Sequence, residues 1–335
     1  MTIKDLSAQT GYSVGTISRV LNNQPNVSQK ARDTILRAAS DCGFQLNANA
    51  KQLKQQHGNS ILVLVKGTSN ELFGSLVEEI QARISGTNYP LIVDYMDEAE
   101  NEVLRAVQLC LEKKPLGVMF LGGNREYFLS DFDKIRRPCV LVTNDASDLP
   151  FENLSSVSSD NTLAAKMAIE HLIRLGHRKI AVIGGPRILS DTTIQRFQGC
   201  MDAFRENNIE FDEELDYESV RYSFAGGYRA AENLLRKGRD FTAIFAMSDV
   251  MAIGAIRALH DAGKRVPEDV SVVGFDGLYL GEYTIPKLTT IAQNVRELAQ
   301  RSICLLLESI EGGQAGTYET VAVSLISRES AKKQN

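Results

Sequence analysis

Ser13, Thr16, Ser18 and Arg19 fall on one side of a short stretch whose other side carries Ile17, Val20 and Leu21. Hydroxyl and guanidinium groups in that arrangement suit hydrogen bonding to DNA. Short side chains let a helix approach a groove closely, and an arginine reaches a guanine edge or a phosphate. Bond-making chemistry has far less to work with. The four histidines, His57, His171, His177 and His260, are not spaced as metal ligands. There is no Walker loop, and Gly184-Gly185-Pro186 lacks the spacing of a dinucleotide loop. Five cysteines (Cys42, Cys110, Cys139, Cys200, Cys304) are scattered singly, which reads as free thiols and not as a disulfide frame or a zinc site. No cofactor and no metal are expected.

The polar face needs a scaffold, and the flanking residues supply one. Thr2 is a good N-cap for a first helix, with Ile3 and Leu6 inward and Gly11 just past its end. Ser13 caps a second helix from Val14 to Leu21. Ser28 caps a third, with Ala31, Ile35, Ala38 and Ala39 on one face and Gly43 closing it. Two short helices joined by a tight glycine turn and braced by a third make a helix-turn-helix. A plain three-helix bundle with ordinary polar faces would show the same pattern. Charge leans toward nucleic acid: the chain carries −5 overall, yet residues 1–58 hold seven basic against three acidic residues, a balance of +4 that leaves −9 on the remainder. A basic head on an acidic body suggests that only the head meets a polyanion.

At 335 residues, 43% hydrophobic and 24% charged, the chain suits two or three domains. No apolar run is long enough to span a bilayer, and the opening Met1-Thr2-Ile3-Lys4-Asp5 has no apolar signal core, so a cytoplasmic location is expected. From Ser60 onward, apolar runs at 61–65, 90–93, 116–121 and 140–142 alternate with amphipathic stretches at about 73–86 and 99–113. A second series follows, with strands at 179–183, 241–245 and 270–275 and helices at about 160–175, 193–207, 225–237 and 249–262. Such βα alternation, twice over, predicts two doubly wound lobes with parallel sheets. Ligands in these sheets bind beyond the carboxyl ends of the strands, so the cleft between lobes is the expected site.

The wording of several segments goes further. Thr2-Ile3-Lys4-Asp5-Leu6, then Gly11 through Asn22, Val27-Ser28, Arg32 and Gly43-Phe44 closely resemble the headpiece of the lactose-repressor (LacI/GalR) family. Leu172–Pro186, Ser248–Ala255, Val266–Asp276 and Leu288–Ile291 resemble that family's core, and the likeness covers about residues 2–330. It implies a transcriptional regulator: a helix-turn-helix headpiece (1–45), a hinge helix and linker (46–59), and a two-lobed periplasmic-binding-protein-like core (60–335) that binds effector and dimerises. The lobes are implied to be about 60–160 with 292–321, and about 161–291 with 322–330. Val14, Gly15 and Arg19 match positions that face bases, and Asn22 and Asn49 join the implied DNA contacts. Leu53 matches the hinge leucine that wedges into the minor groove; Leu46 stands where the family usually has proline. In the cleft, Arg196 matches an arginine that grips effector hydroxyls or carboxylates, Asp276 an acceptor for paired hydroxyls, and Tyr222 a stacking aromatic. Phe73 and Thr192 match further contacts, and Ser248 stands where many members have asparagine. The resemblance implies a homodimer on palindromic operator DNA, no membrane partner, and a sugar or nucleoside-like effector. A periplasmic-type sugar-binding protein would share the body but not the basic head. A sugar-modifying α/β enzyme would need a catalytic constellation that is not found.

Overall fold

The computed structural model describes residues 3–21, 27–42, 58–67, 70–187, 190–238, 240–313 and 316–334. The expected Thr2 cap, the Gly43 stop and the hinge segment from 46 to 57 lie outside them. The chain divides into two compact units, Met1–His57 and Gly58–Asn335.

The first unit holds α1 (Ile3–Thr10), α2 (Val14–Leu21) and α3 (Gln29–Asp41), and the last two start behind their caps. Ser13 Oγ accepts the Thr16 amide at 3.2 Å and Ser28 Oγ that of Ala31 at 3.3 Å. Each satisfies one of the donors that a helix start leaves unpaired. Leu6, Ile17, Val20, Ile35 and Ala39 form the small core, so one face of α2 is spent on packing and the other is turned outward.

The second unit holds two six-stranded sheets. The first contains β1 (Ile61–Lys66), β2 (Leu91–Met96), β3 (Gly117–Leu121), β4 (Cys139–Val142), β5 (Leu154–Ser159) and β11 (Tyr318–Val321), in the order β11-β5-β4-β3-β1-β2 and parallel throughout. In the second are β6 (Ile180–Gly184), β7 (Tyr217–Ser219), β8 (Ala243–Ala246), β9 (Ser271–Asp276), β10 (Thr289–Gln293) and β12 (Val323–Ile326), ordered β12-β10-β9-β8-β6-β7. Only β12 runs antiparallel, against β10. The chain passes between sheets after Ser159, after Gln293 and between Val321 and Val323.

Both faces of the first sheet are covered, which is why β1 reads Ile-Leu-Val-Leu-Val without alternation. Ile61, Val63 and Val65 meet α4 (Glu71–Ile84) and α12 (Val295–Gly312), whereas Leu62 and Leu64 meet α5 (Glu102–Lys113) and the Phe128–Phe132 aromatics of α6 (Arg125–Asp131) and the turn beyond it. The second sheet is sandwiched by α7 (Asn161–Arg174) and α8 (Asp191–Glu206), and by α10 (Phe224–Arg236) and α11 (Asp249–Asp261); a four-residue α9 (Glu213–Asp216) precedes β7. Among the described residues no helix is long and apolar enough to cross a membrane.

Helices α10 and α11 touch backbone to backbone. A Cβ on Gly254 would lie 2.1 Å from Phe224 O, and one on Gly227 2.1 Å from Met251 O. Gly254→Ala is therefore expected to cost about 1–3 kcal/mol by overpacking, lowering the midpoint of thermal unfolding by about 2–10 °C in a calorimetric scan. An unchanged midpoint would mean that the helices separate freely.

Candidate functional site

Helix α2 brings Val14, Gly15, Thr16, Ser18 and Arg19 onto one short element behind its cap, Ser13. Val14 is 41% exposed despite being apolar, and Arg19 is exposed. A Cβ on Gly15 would approach only Ser13 Oγ, at 3.9 Å, so the surface there is open. Ser13 and Thr16 are linked at 2.9 Å, which holds both hydroxyls at the start of the helix. Ser18 is described by its backbone alone, and Asn22, Asn49 and Leu53 lie outside the described residues.

In the second unit, a cavity of about 260 Å³ lies between the carboxyl ends of the two sheets. Each sheet reverses its strand order there: β1 is flanked by β2 and β3, and β6 by β7 and β8. Connections that leave such a switch point in opposite directions open a crevice. Phe73, Thr192, Arg196, Tyr222 and Asp276 all line the cavity. Ser248 does not. It is 1% exposed and its Oγ accepts the Met251 amide at 3.3 Å, so the hydroxyl is committed to capping α11. Sequence position suggested an effector contact; the helix start takes the side chain instead.

Arg196 is held rigidly. Its Nε donates to Asn161 Oδ1 at 2.9 Å, Nη1 donates to Met247 O at 2.6 Å, and the guanidinium carbon sits 3.7 Å from the centroid of the Phe275 ring. Nη2 lies 3.9 Å from Asp276 Oδ1, a loose approach that leaves both groups capacity for a ligand. Asp276 accepts Gln293 Nε2 at 2.9 Å. Burial pushes its carboxyl up to about 6, against the pull of Arg196. Its φ is +112°, and Thr143, facing the cavity from the end of β4, has φ +77°. Strained backbone persists only where surroundings enforce it, and it clusters at binding sites. The Tyr222 hydroxyl pairs with Thr193 Oγ1 at 2.8 Å, fixing the ring as a wall. Phe73 forms the opposite wall against Gly122, where a Cβ would come within 3.0 Å of the ring.

A polar set on the first lobe was not read from the sequence. Lys66 ends β1, pairs with the buried Glu102, donates to Glu100 O at 3.1 Å and lies 4.8 Å from the centroid of the Tyr127 ring. Asn144 donates to Gly123 O at 3.2 Å. Asp97 and Glu98 follow β2 and reach across the cavity to Arg221, at 3.1 and 2.9 Å. The available signal was Lys66 itself, since a lysine closing a fully buried parallel strand has to emerge at the carboxyl end, where ligands sit.

A family model described as bacterial regulatory proteins, lacI family, matches residues 2–47, and one for a periplasmic binding protein-like domain matches residues 169–331. The transcriptional regulator MalR of Clostridium butyricum is 36% identical over 98% of this chain and 99% of its own length. The chain belongs to the LacI family. Solved LacI-family structures agree over the full length. The lac repressor dimer bound to operator and the anti-inducer ONPF is 27% identical with a TM-score of 0.78, covering 99% of both chains. A complex of the transcriptional regulator CelR with cellobiose is 27% identical with a TM-score of 0.73, covering 98% of this chain and 99% of that one. Like other LacI-family members, the protein is a DNA-binding transcriptional regulator built from a helix-turn-helix headpiece and a two-sheet α/β core.

Proposed function

We propose that the protein is a cytoplasmic repressor that binds a palindromic operator as a homodimer and responds to an uncharged sugar or nucleoside-like effector in the cavity between its lobes. It is a regulator and not an enzyme. In this reading α2 enters the major groove, with Arg19 and Val14 at base edges and Ser13, Thr16, Ser18 and Asn22 on the backbone. Asn49 and Leu53 act at the hinge. A dimer is required because one headpiece reads half of a two-fold site. The relatives support it: one is a lac repressor dimer on operator, another is bound to cellobiose.

One observation carries the effector class. Every charge at the cavity faces an opposite partner: Lys66 with Glu102, Arg221 with Asp97 and Glu98, Arg196 with Asp276. A site balanced in this way has no surplus cation for a phosphate. It offers donors and acceptors between the Phe73 and Tyr222 walls, the requirement of a neutral polyhydroxylated ring. Thermal-shift screening of neutral sugars, nucleosides and sugar phosphates tests this: neutral compounds should raise the unfolding midpoint and phosphorylated ones should not. Stabilisation by sugar phosphates alone would reverse the assignment.

Acid should weaken that binding. Asp276, with a carboxyl near 6 against an ordinary 3.8, takes a proton as pH falls through about 6 and loses its charge-assisted acceptance of ligand hydroxyls. Its effect on folding has the opposite sign. The folded state binds the proton more tightly, so this group favours folding most below about pH 4, and the advantage is lost as pH rises through 6. Titration calorimetry at about pH 5 and about pH 8 should show weaker effector binding at the lower pH, and Asp276→Asn should flatten the difference. An equal dependence in the variant would assign it to another group.

A further inference from the structure

Two of the residues that line the cavity from the second lobe, Arg196 and Asp276, are each joined to the same strand end by one amide side chain. Gln293 Nε2 donates to Asp276 Oδ1 at 2.9 Å, while its Oε1 accepts from Ser159 Oγ at 3.1 Å. Asn161 Oδ1 accepts from Arg196 Nε at 2.9 Å, while its Nδ2 donates to Ser159 O at 3.1 Å. With the Arg196–Asp276 approach of 3.9 Å, these contacts close a ring. Ser159, Asn161, Arg196, Asp276 and Gln293 are all at most 6% exposed, so water is not available to replace a broken link.

The place of the ring gives it meaning. Ser159 is the last residue of β5 and Gln293 the last of β10, two of the three points at which the chain leaves one sheet for the other. Gln293 is also paired in register with Val323, the first residue after the third passage. All three connections between lobes therefore meet at Gln293, one side chain away from the Asp276 carboxylate.

We propose that Gln293 and Asn161 are positioning residues for regulation: they pass the state of Asp276 and Arg196 to the connections between lobes and thereby to operator affinity. This rests on the reading that Arg196 and Asp276 hold the effector. A ligand that draws the Asp276 carboxylate into the cavity pulls on Gln293. Because the far end of that amide is committed to Ser159, the two departing strands shift together. Packed elements with discrete arrangements carry such coupling.

The test needs no effector. Operator affinity of the intact dimer is measured by fluorescence anisotropy on a duplex selected from a random pool by the wild-type protein, for Asp276→Ala, Gln293→Met and the double variant. Asp276→Ala should change operator affinity, and the change should shrink by about 2- to 30-fold in the Gln293→Met background. Ser159→Ala, a milder change that leaves the Gln293–Asp276 bond in place, should produce the same loss of interaction even if Gln293→Met folds poorly. A purely structural role for Gln293 predicts additive effects, which would overturn the proposal; so would an operator affinity indifferent to Asp276→Ala. Failure of the effector assignment appears separately, as the absence of any stabilising neutral compound in the thermal-shift screen.

Discussion

Arg196→Leu is expected to weaken effector binding by about 30- to 5000-fold, leaving a protein that still holds its operator but no longer responds. Truncating one partner of a buried, hydrogen-bonded charge pair costs about 2–5 kcal/mol in binding. Three features put Arg196 toward the upper part of that range. It is 5% exposed, its fork is fixed by Asn161 and Met247 O, and its face is stacked on Phe275. Leucine also leaves the Asp276 carboxylate buried beside no cation, so the unfolding midpoint should fall as well. Arg196→Lys separates the two effects. It keeps the charge for Asp276 but not the planar fork, so stability should largely return while effector affinity stays low. Calorimetric titration of both variants with a stabilising sugar reads the affinities. A lysine variant with wild-type affinity would show that charge alone, and not the fork, recognises the ligand.

At the other end of the chain, Arg19→Ala is expected to lower specific operator affinity by about 5- to 150-fold while lowering affinity for unrelated duplex far less. A bidentate contact to a guanine edge contributes about 1–3 kcal/mol of discrimination, whereas one phosphate contact changes all sequences alike. Among the described side chains of α2 and its cap, few others can serve hydrogen-bonded readout. Gly15 has no side chain, Val14 offers only apolar contact, and the Ser13 and Thr16 hydroxyls are engaged with each other and with the cap. Anisotropy titrations against the selected operator and a scrambled duplex provide the comparison. Equal losses on both would reduce Arg19 to a phosphate contact.

Local rules made some features legible in the sequence, and others took shape only in the folded chain. Headpiece helices could be read because local rules suffice: Ser13 and Ser28 are caps, and Ile17, Val20, Ile35 and Ala39 recur at helical spacing. Strands β1, β3 and β9 could be read because both faces are buried and their interiors are runs of apolar residues. Strand β5 could not, although it is just as buried. It reads Leu-Ser-Ser-Val-Ser-Ser, a turn-like composition whose hydroxyls are satisfied only by distant partners. Ser155 accepts the Thr317 amide, Ser156 that of Ala146, and Ser159 donates to Gln293. Edge strands β7, β11 and β12 are three or four residues long, too short for periodicity to register. In the cavity, Arg196 and Asp276 stood out through the family wording around them. Lys66, Asp97, Glu98 and Arg221 come from the ends of three strands with no common motif, and only the folded chain brings them together. Ser248 shows the opposite failure, a position matched in sequence whose hydroxyl a helix start had already taken.

Operator affinity measured across a panel of neutral sugars and nucleosides, in wild type and in Arg196→Leu, is the most direct test of the central claim that a ligand in the cavity governs DNA binding. The account predicts that at least one compound changes wild-type operator affinity by about 5- to 150-fold, the usual range for coupled sites, and that the same compound leaves Arg196→Leu unaffected. A panel that leaves wild-type affinity unchanged, or a response that survives in Arg196→Leu, would contradict it.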